Sequence, residues 1–412
     1  MDWSNQEVGG GWTLGDFVYG EISVDGFSEQ GKEKIKNNQI LYIPEVIPDE
    51  RVKKYEDLKK ITLVKHYAFQ ESKLKEVHMP DTVKEIGNHA FSYNNITKVK
   101  FPKFLELIRE GVFKNNQIIS INFPKTLKII GPESFKNNKI KVLSVPDKIL
   151  EVYWGAFESN EIEELKLPDS LEFIDSNAFS MNKLKEVIIP KKVKSIGVNA
   201  FENNFLESIT IPENVLRIWN NAFIHNKLKK INIEAKNLNC ESGVFWFNNI
   251  KELKLKCSFS NFLDSFKREE AGEPIFGSEV ELLDLSNNAY INEESLKDIA
   301  CNFKFLKDLN FKGCDSLKTI PDYIFKGLEL EKVVFPNSLT EIGCSAFRFN
   351  GIKELIIPPS VKIIRENAFG GNPIEKLCIK GNLTILESRA FPNTKVVEEA
   401  IFKAATKQWE PN

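Results

Sequence analysis

Neutral-pH catalysis leans on histidine and cysteine, and this chain has little of either. Its 412 residues include four histidines, His66, His78, His89 and His225, and six cysteines, at 240, 257, 301, 314, 344 and 378. No two cysteines form a CxxC pair and no histidine cluster accompanies them, which argues against the usual zinc spacings. HExxH, GxSxG and GxxxxGK[ST] are also missing, and the "GGGW" at 9–12 has no strand before it. Neither sign of charge dominates, with 56 Lys and Arg against 58 Asp and Glu. The net charge of −2 gives no global pull toward nucleic acid or an anionic membrane. No apolar run reaches the ~18–20 residues that cross a bilayer, so membrane insertion is not expected. The first residues lack a basic segment followed by an apolar one, so they do not read as a signal peptide. Six cysteines without a pairing pattern then favour a cytoplasmic location, a secreted disulfide framework being the alternative. Paired carboxylates such as Glu164 with Glu186 are not set apart from ordinary solvated charges. We expect no enzyme, no metal and no cofactor.

What the chain has in abundance is one phrase. "FSMNKLKEVIIPKKVKSIGVNA" (179–200) is followed at once by "FENNFLESITIPENVLRIWNNA", the same pattern at a lag of 22. Phenylalanine keeps that beat from Phe69 to Phe245 and again from Phe325 to Phe391. Proline keeps it from Pro80 to Pro212 and at Pro336 and Pro358, and asparagine three residues after most of the phenylalanines, as at Asn94 and Asn182. The alternation at Val187–Ile189 has strand period, and the following proline ends the strand because it cannot donate to a ladder. Val193 and Ile196 turn inward again, Ala200 is small at a bend, and Phe201 fills the core. Gly197, with Gly87, Gly131 and Gly343 in the same column, reads as a turn residue at positive φ. The asparagine amides are placed to satisfy backbone groups of the neighbouring turn. One unit cannot bury its own apolar side but a stack can. The expected fold is therefore a curved, right-handed solenoid of about 14–15 coils, on the order of 70 Å long, β-rich with few helices, its parallel β-sheet on the concave face.

The motif "IP..V..IG..AF..N.L" resembles the BspA-type leucine-rich repeat family over about 61–255 and 325–395. The flank "WTLGDFVYGEISVDGFSEQGKEKIKNNQILYIP" resembles the segment that precedes such arrays. The resemblance implies an α/β leucine-rich repeat solenoid, supplies no catalytic motif, and associates the chain with adhesion and protein–protein contact. It also makes a cell-surface or secreted location the alternative to a cytoplasmic one.

The beat breaks between Phe245 and Phe325, a lag of 80 that is not a multiple of 22. We expect a capping region over 1–60, regular repeats over 61–255, longer irregular repeats over 256–324, regular repeats over 325–395 and a helical cap over 396–412. Within the irregular part, "NEESLKDIACNF" (292–303) reads as a helix on the convex side and "SFKREEAGEPIFG" (265–277) as a protruding loop. The irregularity is either a tolerated insertion or a partner-specific element.

If Val187 and Ile189 point inward, Ile188 points out. One outward column follows: His78, Lys100, Asn122, Ser144, Lys166, Ile188, Thr210, Asn232, Lys254, Val334, Ile356 and Cys378. Beside it, Lys141, Glu163, Lys185, Glu207 and Lys229 alternate in sign, a pattern we read as register specification by cross-strand ion pairs. Docking is then expected where the outward column turns apolar. Lys166, Ile188, Thr210, Val334 and Ile356 are the candidate partner-binding residues. Trp246 and Phe247, turn aromatics of which one must face out, form a second candidate site. The expected function is a protein-binding scaffold. A surface adhesin and a carbohydrate-binding protein using exposed aromatics are the alternatives.

Overall fold

The computed structural model describes residues 17–19, 23–35, 39–46, 60–258, 262 and 279–392. The chain winds a parallel β-solenoid of about 14 turns with few helices. Contacts divide it into two compact units, one of residues 1–206 with 217–226 and one of residues 207–216 with 227–412.

In the first unit most coils are tied to the next at three places. A first ladder comprises strands such as Glu76–His78 and Lys98–Lys100, or Val142–Ser144 and Glu164–Lys166, all parallel. Proline follows, and its carbonyl accepts from the residue three further on, as Leu171 N to Pro168 O at 3.1 Å. The chain then enters a second, two-residue ladder, as Glu151–Val152, Phe173–Ile174 and Ser195–Ile196 in register. Ile196 points inward as its column predicts, but a second parallel ladder there was not expected. Two residues are too few to show a period.

The third tie is a double turn. Asn177 N donates to Val198 O at 2.8 Å, Phe179 N to Ala200 O at 2.9 Å and Met181 N to Glu202 O at 2.8 Å. The amides between them close local turns instead, Ala178 to Asp175 O and Ser180 to Asn177 O. Asn177 and Met181 both sit in the left-handed region, with φ of 56° and 55°. The same two positions are left-handed coil after coil, for instance Asn199 and Asn203 or His89 and Tyr93.

Gly87, Gly131, Gly197 and Gly343 do not have the positive φ expected of them. Glycine is required there by close approach. A Cβ on Gly197 would lie 2.5 Å from the carbonyl carbon of Asp175 and from the amide nitrogen of Ser176, backbone atoms of the preceding coil.

The core is a file of phenylalanines. Rings from Phe69 to Phe223 lie 5.3 to 5.8 Å apart, within 20° of parallel, as Phe157 on Phe179 at 5.8 Å and 4°. All are fully buried, each contributing roughly 2–3 kcal/mol by leaving water. Beside them runs the asparagine file. Asn182 Oδ1 accepts from Ile162 N at 3.0 Å, and its Nδ2 donates to Phe157 O at 3.0 Å and Phe179 O at 3.1 Å. The amide thus replaces water for groups of two successive coils, as expected.

The second unit repeats the scheme. Its first ladder runs through Ser208–Ile211, Lys230–Ile233, Glu252–Leu255, Leu282–Asp284, Asp308–Asn310 and Lys332–Val334 as one parallel sheet. Phe325, Phe347, Phe369 and Phe391 stack at 5.3 to 5.4 Å. Asn350 and Asn372 repeat the amide bonding. Phe391, the last ring, is half-buried. Between Leu282–Asp284 and Asp308–Asn310 lies the helix Glu293–Asn302. Asn292 caps it, accepting from Ser295 N, while Ser295 Oγ accepts from Asn292 N, and Leu296 and Ile299 are buried. The loop 265–277 and the helix over 396–412 fall outside the described residues.

At the N-terminal end, Ser23–Phe27 pairs in parallel with Leu63–Val64, and Phe27 meets the first ring of the file, Phe69, edge-on at 4.9 Å. Trp3 and Trp12 fall outside the described residues.

Candidate binding faces

The outward column exists as strand register over part of each unit. In the second unit Thr210, Asn232, Lys254, Asp284, Asn310 and Val334 align rung by rung, and Ile356 aligns with Cys378. Asp284 and Asn310 were not placed in this column from sequence. The alternation Leu283–Asp284–Leu285 would have placed Asp284 there, had the broken beat not hidden the rung.

Chemically the column has a closed middle and an open end. Asp284 accepts from Asn310 Nδ2 at 2.9 Å and from Ser286 N at 2.9 Å, and lies 3.4 Å from Lys254 Nζ. Partial burial pushes its carboxyl up, but the Ser286 hydrogen bonds and Lys254 outweigh this and hold it below the usual carboxylate range. These groups satisfy one another. Beyond them come Val334, Ile356 and Cys378, three adjacent rungs with no ionisable carboxylate or ammonium among them. Val334 is half-buried, Ile356 is 56% exposed and Cys378 is exposed.

In the first unit the column begins with Tyr42, stacked on His78 at 4.4 Å and 5°. It continues through Lys100, Ser144 and Lys166, all exposed. It ends at Ile188, 86% exposed between the buried Val187 and Ile189. Two rungs here lack a regular ladder. Residues 120–122 make a single bridge, Ser120 to Val142, and no backbone hydrogen bond joins 98–101 to 120–123. None joins 164–166 to 186–189 among the described residues. We have no physical account of the second gap, since Val187 and Ile189 are buried as a strand pattern requires.

The charge checkerboard is only partly realised. Among the described residues Lys141, Glu163, Lys185, Glu207 and Lys229 form no ion pairs. The same column is paired farther along, where Glu281 lies 3.4 Å from Lys251 and 3.2 Å from Lys307. Hydrogen bonds from both lysines lower the Glu281 carboxyl. Elsewhere the lateral pairs fall in neighbouring columns, as Lys183–Glu161 at 3.0 Å, Lys230–Glu252 at 2.8 Å and Lys376–Glu354 at 2.8 Å. Long exposed side chains in one column prefer a diagonal or adjacent carboxylate when its geometry is better, at little energetic difference.

Sequence comparison adds the family. The BspA type Leucine rich repeat region matches residues 51–161, 150–270 and 284–412, in 6 copies. The chain belongs to the BspA-type leucine-rich repeat family. No curated protein matches it in sequence. Among solved structures it is similar to a leucine-rich repeat protein from Bacteroides ovatus, at 20% identity and a TM-score of 0.48, covering 96% of this chain and 97% of that one. It is also similar to a leucine rich cell surface protein from Faecalibacterium prausnitzii, at 18% identity and a TM-score of 0.40, covering 90% and 95%.

The turn aromatics follow from the BspA-type coil. Phe247 occupies the second left-handed position, φ 55°, and is 59% exposed, while Trp246 beside it is half-buried. Tyr93, Phe247 and Phe349 share both this second left-handed position and the exposure. Phe349 is flanked by Arg348, whose guanidinium lies 4.5 Å from its ring centre.

A groove of about 350 Å3 opens on the second ladder of the first unit, with Asp175, Gly197 and Trp219 among its lining. Trp219 Nε1 donates to Ser195 Oγ at 3.1 Å, and Arg217 stacks at 3.8 Å from its ring. Burial, then the charge of Asp175, pushes the Glu151 carboxyl up. The groove offers hydrogen-bond acceptors rather than a metal site. No cluster of three or more His, Cys, Asp or Glu side chains able to hold a metal occurs among the described residues. No described helix is long and apolar enough to cross a membrane. All six cysteines carry free thiols, and burial pushes that of Cys257 up to about 12.

Proposed function

We propose that the protein is a non-enzymatic scaffold that binds a protein partner through the outward column of its first ladder. Docking is at the apolar positions, Ile188 with Lys166 in the first unit and, in the second, Thr210, Val334 and Ile356. The observation that carries this reading is the exposure of Ile188, on an extended segment between two buried residues, and of Ile356, on the strand Glu354–Ile357. A single exposed apolar residue is ordinary on a protein surface. Three consecutive column positions with no charged side chain, flanked by Lys332 and by a Glu354–Lys376 pair that satisfies itself, offer area a partner can desolvate at little cost. Trp246 and Phe247 supply further anchoring surface at the turns of the second unit.

The test uses the partner recovered on the immobilised intact chain, re-expressed and titrated against purified variants. Ile188→Glu and Ile356→Glu are each expected to weaken binding by about tenfold or more, since each places a charge in a desolvated contact. Equal affinity for wild type and both variants would end this reading.

A further inference from the structure

The first gap in the first unit's ladder coincides with a groove of about 590 Å3. Its rim is basic. Lys98 and Lys100 stand on one face of the strand Lys98–Lys100, about 6.6 Å apart by strand geometry. Lys103 follows on the same coil, and Lys125 takes the equivalent place on the next. All four are exposed and none makes an ion pair with a carboxylate among the described residues. Glu76, directly across the ladder from Lys98, is engaged by His78 at 3.1 Å. Asp81 uses its carboxylate to accept from the backbone amide of Lys103 at 2.9 Å.

The floor is apolar. Phe101 and Phe123 stack at 5.5 Å, Phe123 also meets Phe135 edge-on at 5.5 Å, and Pro124 adjoins them. Phe104 is 49% exposed, with Lys103 Nζ 5.3 Å from its ring centre. A nucleic acid would need open ring faces for its bases. Phe123 is already committed to two rings and Phe104 carries a cation over its face. A sulfated sugar chain would meet the lysines but leave the apolar floor covered only by hydroxyl-rich surface. An extended peptide repeats every two residues at the spacing of Lys98 and Lys100. Alternating carboxylates and apolar side chains would fill rim and floor together.

We infer that this groove, lined by Lys98, Lys100, Lys103, Lys125 and Phe104, binds an extended acidic segment of a partner protein with aromatic or aliphatic side chains between its carboxylates. The site is separate from the apolar rungs proposed above and stands whether or not they bind.

The experiment is fluorescence anisotropy of the intact protein with a short labelled peptide alternating glutamate and phenylalanine, with heparin and oligothymidylate as parallel probes. The peptide is expected to bind, more weakly as salt rises. Lys100→Glu with Lys103→Glu is expected to reduce its affinity by about tenfold or more. Phe104→Ser should weaken it severalfold, and Lys192→Glu should leave it unchanged. As a check independent of folding, the charge-reversed variant should gain affinity for a peptide alternating lysine and phenylalanine. Peptide binding that survives in Ile188→Glu and Ile356→Glu separates this site from the other. Failure of the peptide to bind, indifference to the double substitution, or binding of heparin or oligothymidylate in its place would each overturn the inference.

Discussion

The side-chain amide of Asn182 donates to the carbonyl oxygen of Phe157 at 3.0 Å, joining two successive coils at a point closed to water. Asn182→Ala removes this bond together with those to Phe179 O and from Ile162 N. The expected loss is roughly 3 kcal/mol, because buried backbone groups are left without partners. Asn182→Asp should recover little, since a carboxylate accepts from Ile162 N but cannot donate to either carbonyl. Urea denaturation of the two variants beside wild type measures both effects, and equal stability of the aspartate variant would refute the donor role.

Gly197 and Gly327 make opposite demands. A Cβ at 197 collides with the preceding coil's backbone, whereas at 327, with φ of 70°, it meets open space. Gly197→Ala is expected to destabilise by roughly 3 kcal/mol or more and Gly327→Ala by only about 1 kcal/mol of backbone strain. Thermal unfolding should rank them in that order. The reverse order would restore the positive-φ reading of the glycine column.

Glu133 sits among Lys114 and Lys136, with Lys136 also 2.9 Å from Glu158. Burial would raise the Glu133 carboxyl, but hydrogen bonds from the two lysines hold it below the usual range. A carboxyl depressed in the folded state stabilises at pH above its unfolded value and loses that contribution as pH falls through the folded one. Glu133→Gln is therefore expected to destabilise by roughly 1–2 kcal/mol at neutral pH, since half-buried Lys114 loses its carboxylate while Lys136 keeps Glu158. The difference from wild type should shrink below about pH 4. A difference constant with pH would show that the loss is packing rather than charge.

Ile188→Glu and Ile356→Glu should leave stability within about 0.5 kcal/mol of wild type, as substitutions of exposed side chains do. Calorimetry checks this independently of any partner, and a large drop in melting temperature would show that these residues support the fold rather than a surface.

Phenylalanine, proline and asparagine were legible in the sequence because each coil repeats the same contact at the same place. The second ladder was not, since pairs such as Phe173–Ile174 are too short to alternate. The glycine column was legible as a constraint but misread in kind, because a sequence does not say whether a missing Cβ serves φ or proximity. Of the left-handed residues, Asn177 and Asn199 carry a signal in their type, whereas Met181, Phe247 and Arg389 carry none. Cavities such as the lysine-rimmed groove depend on which rungs fail to pair, and the pattern around Ser120 looks no weaker as a strand than its neighbours.

The left-handed positions leave the protein with room to be improved. Met181 and Arg389 hold a backbone shape that side chains other than glycine and asparagine adopt reluctantly. A substitution such as Met181→Gly relieves about 1 kcal/mol of that tension, less the chain freedom glycine adds to the unfolded state. Because each coil leans chiefly on its two neighbours, such gains made far apart should sum, and a hardened version of the array could be assembled without touching either binding face.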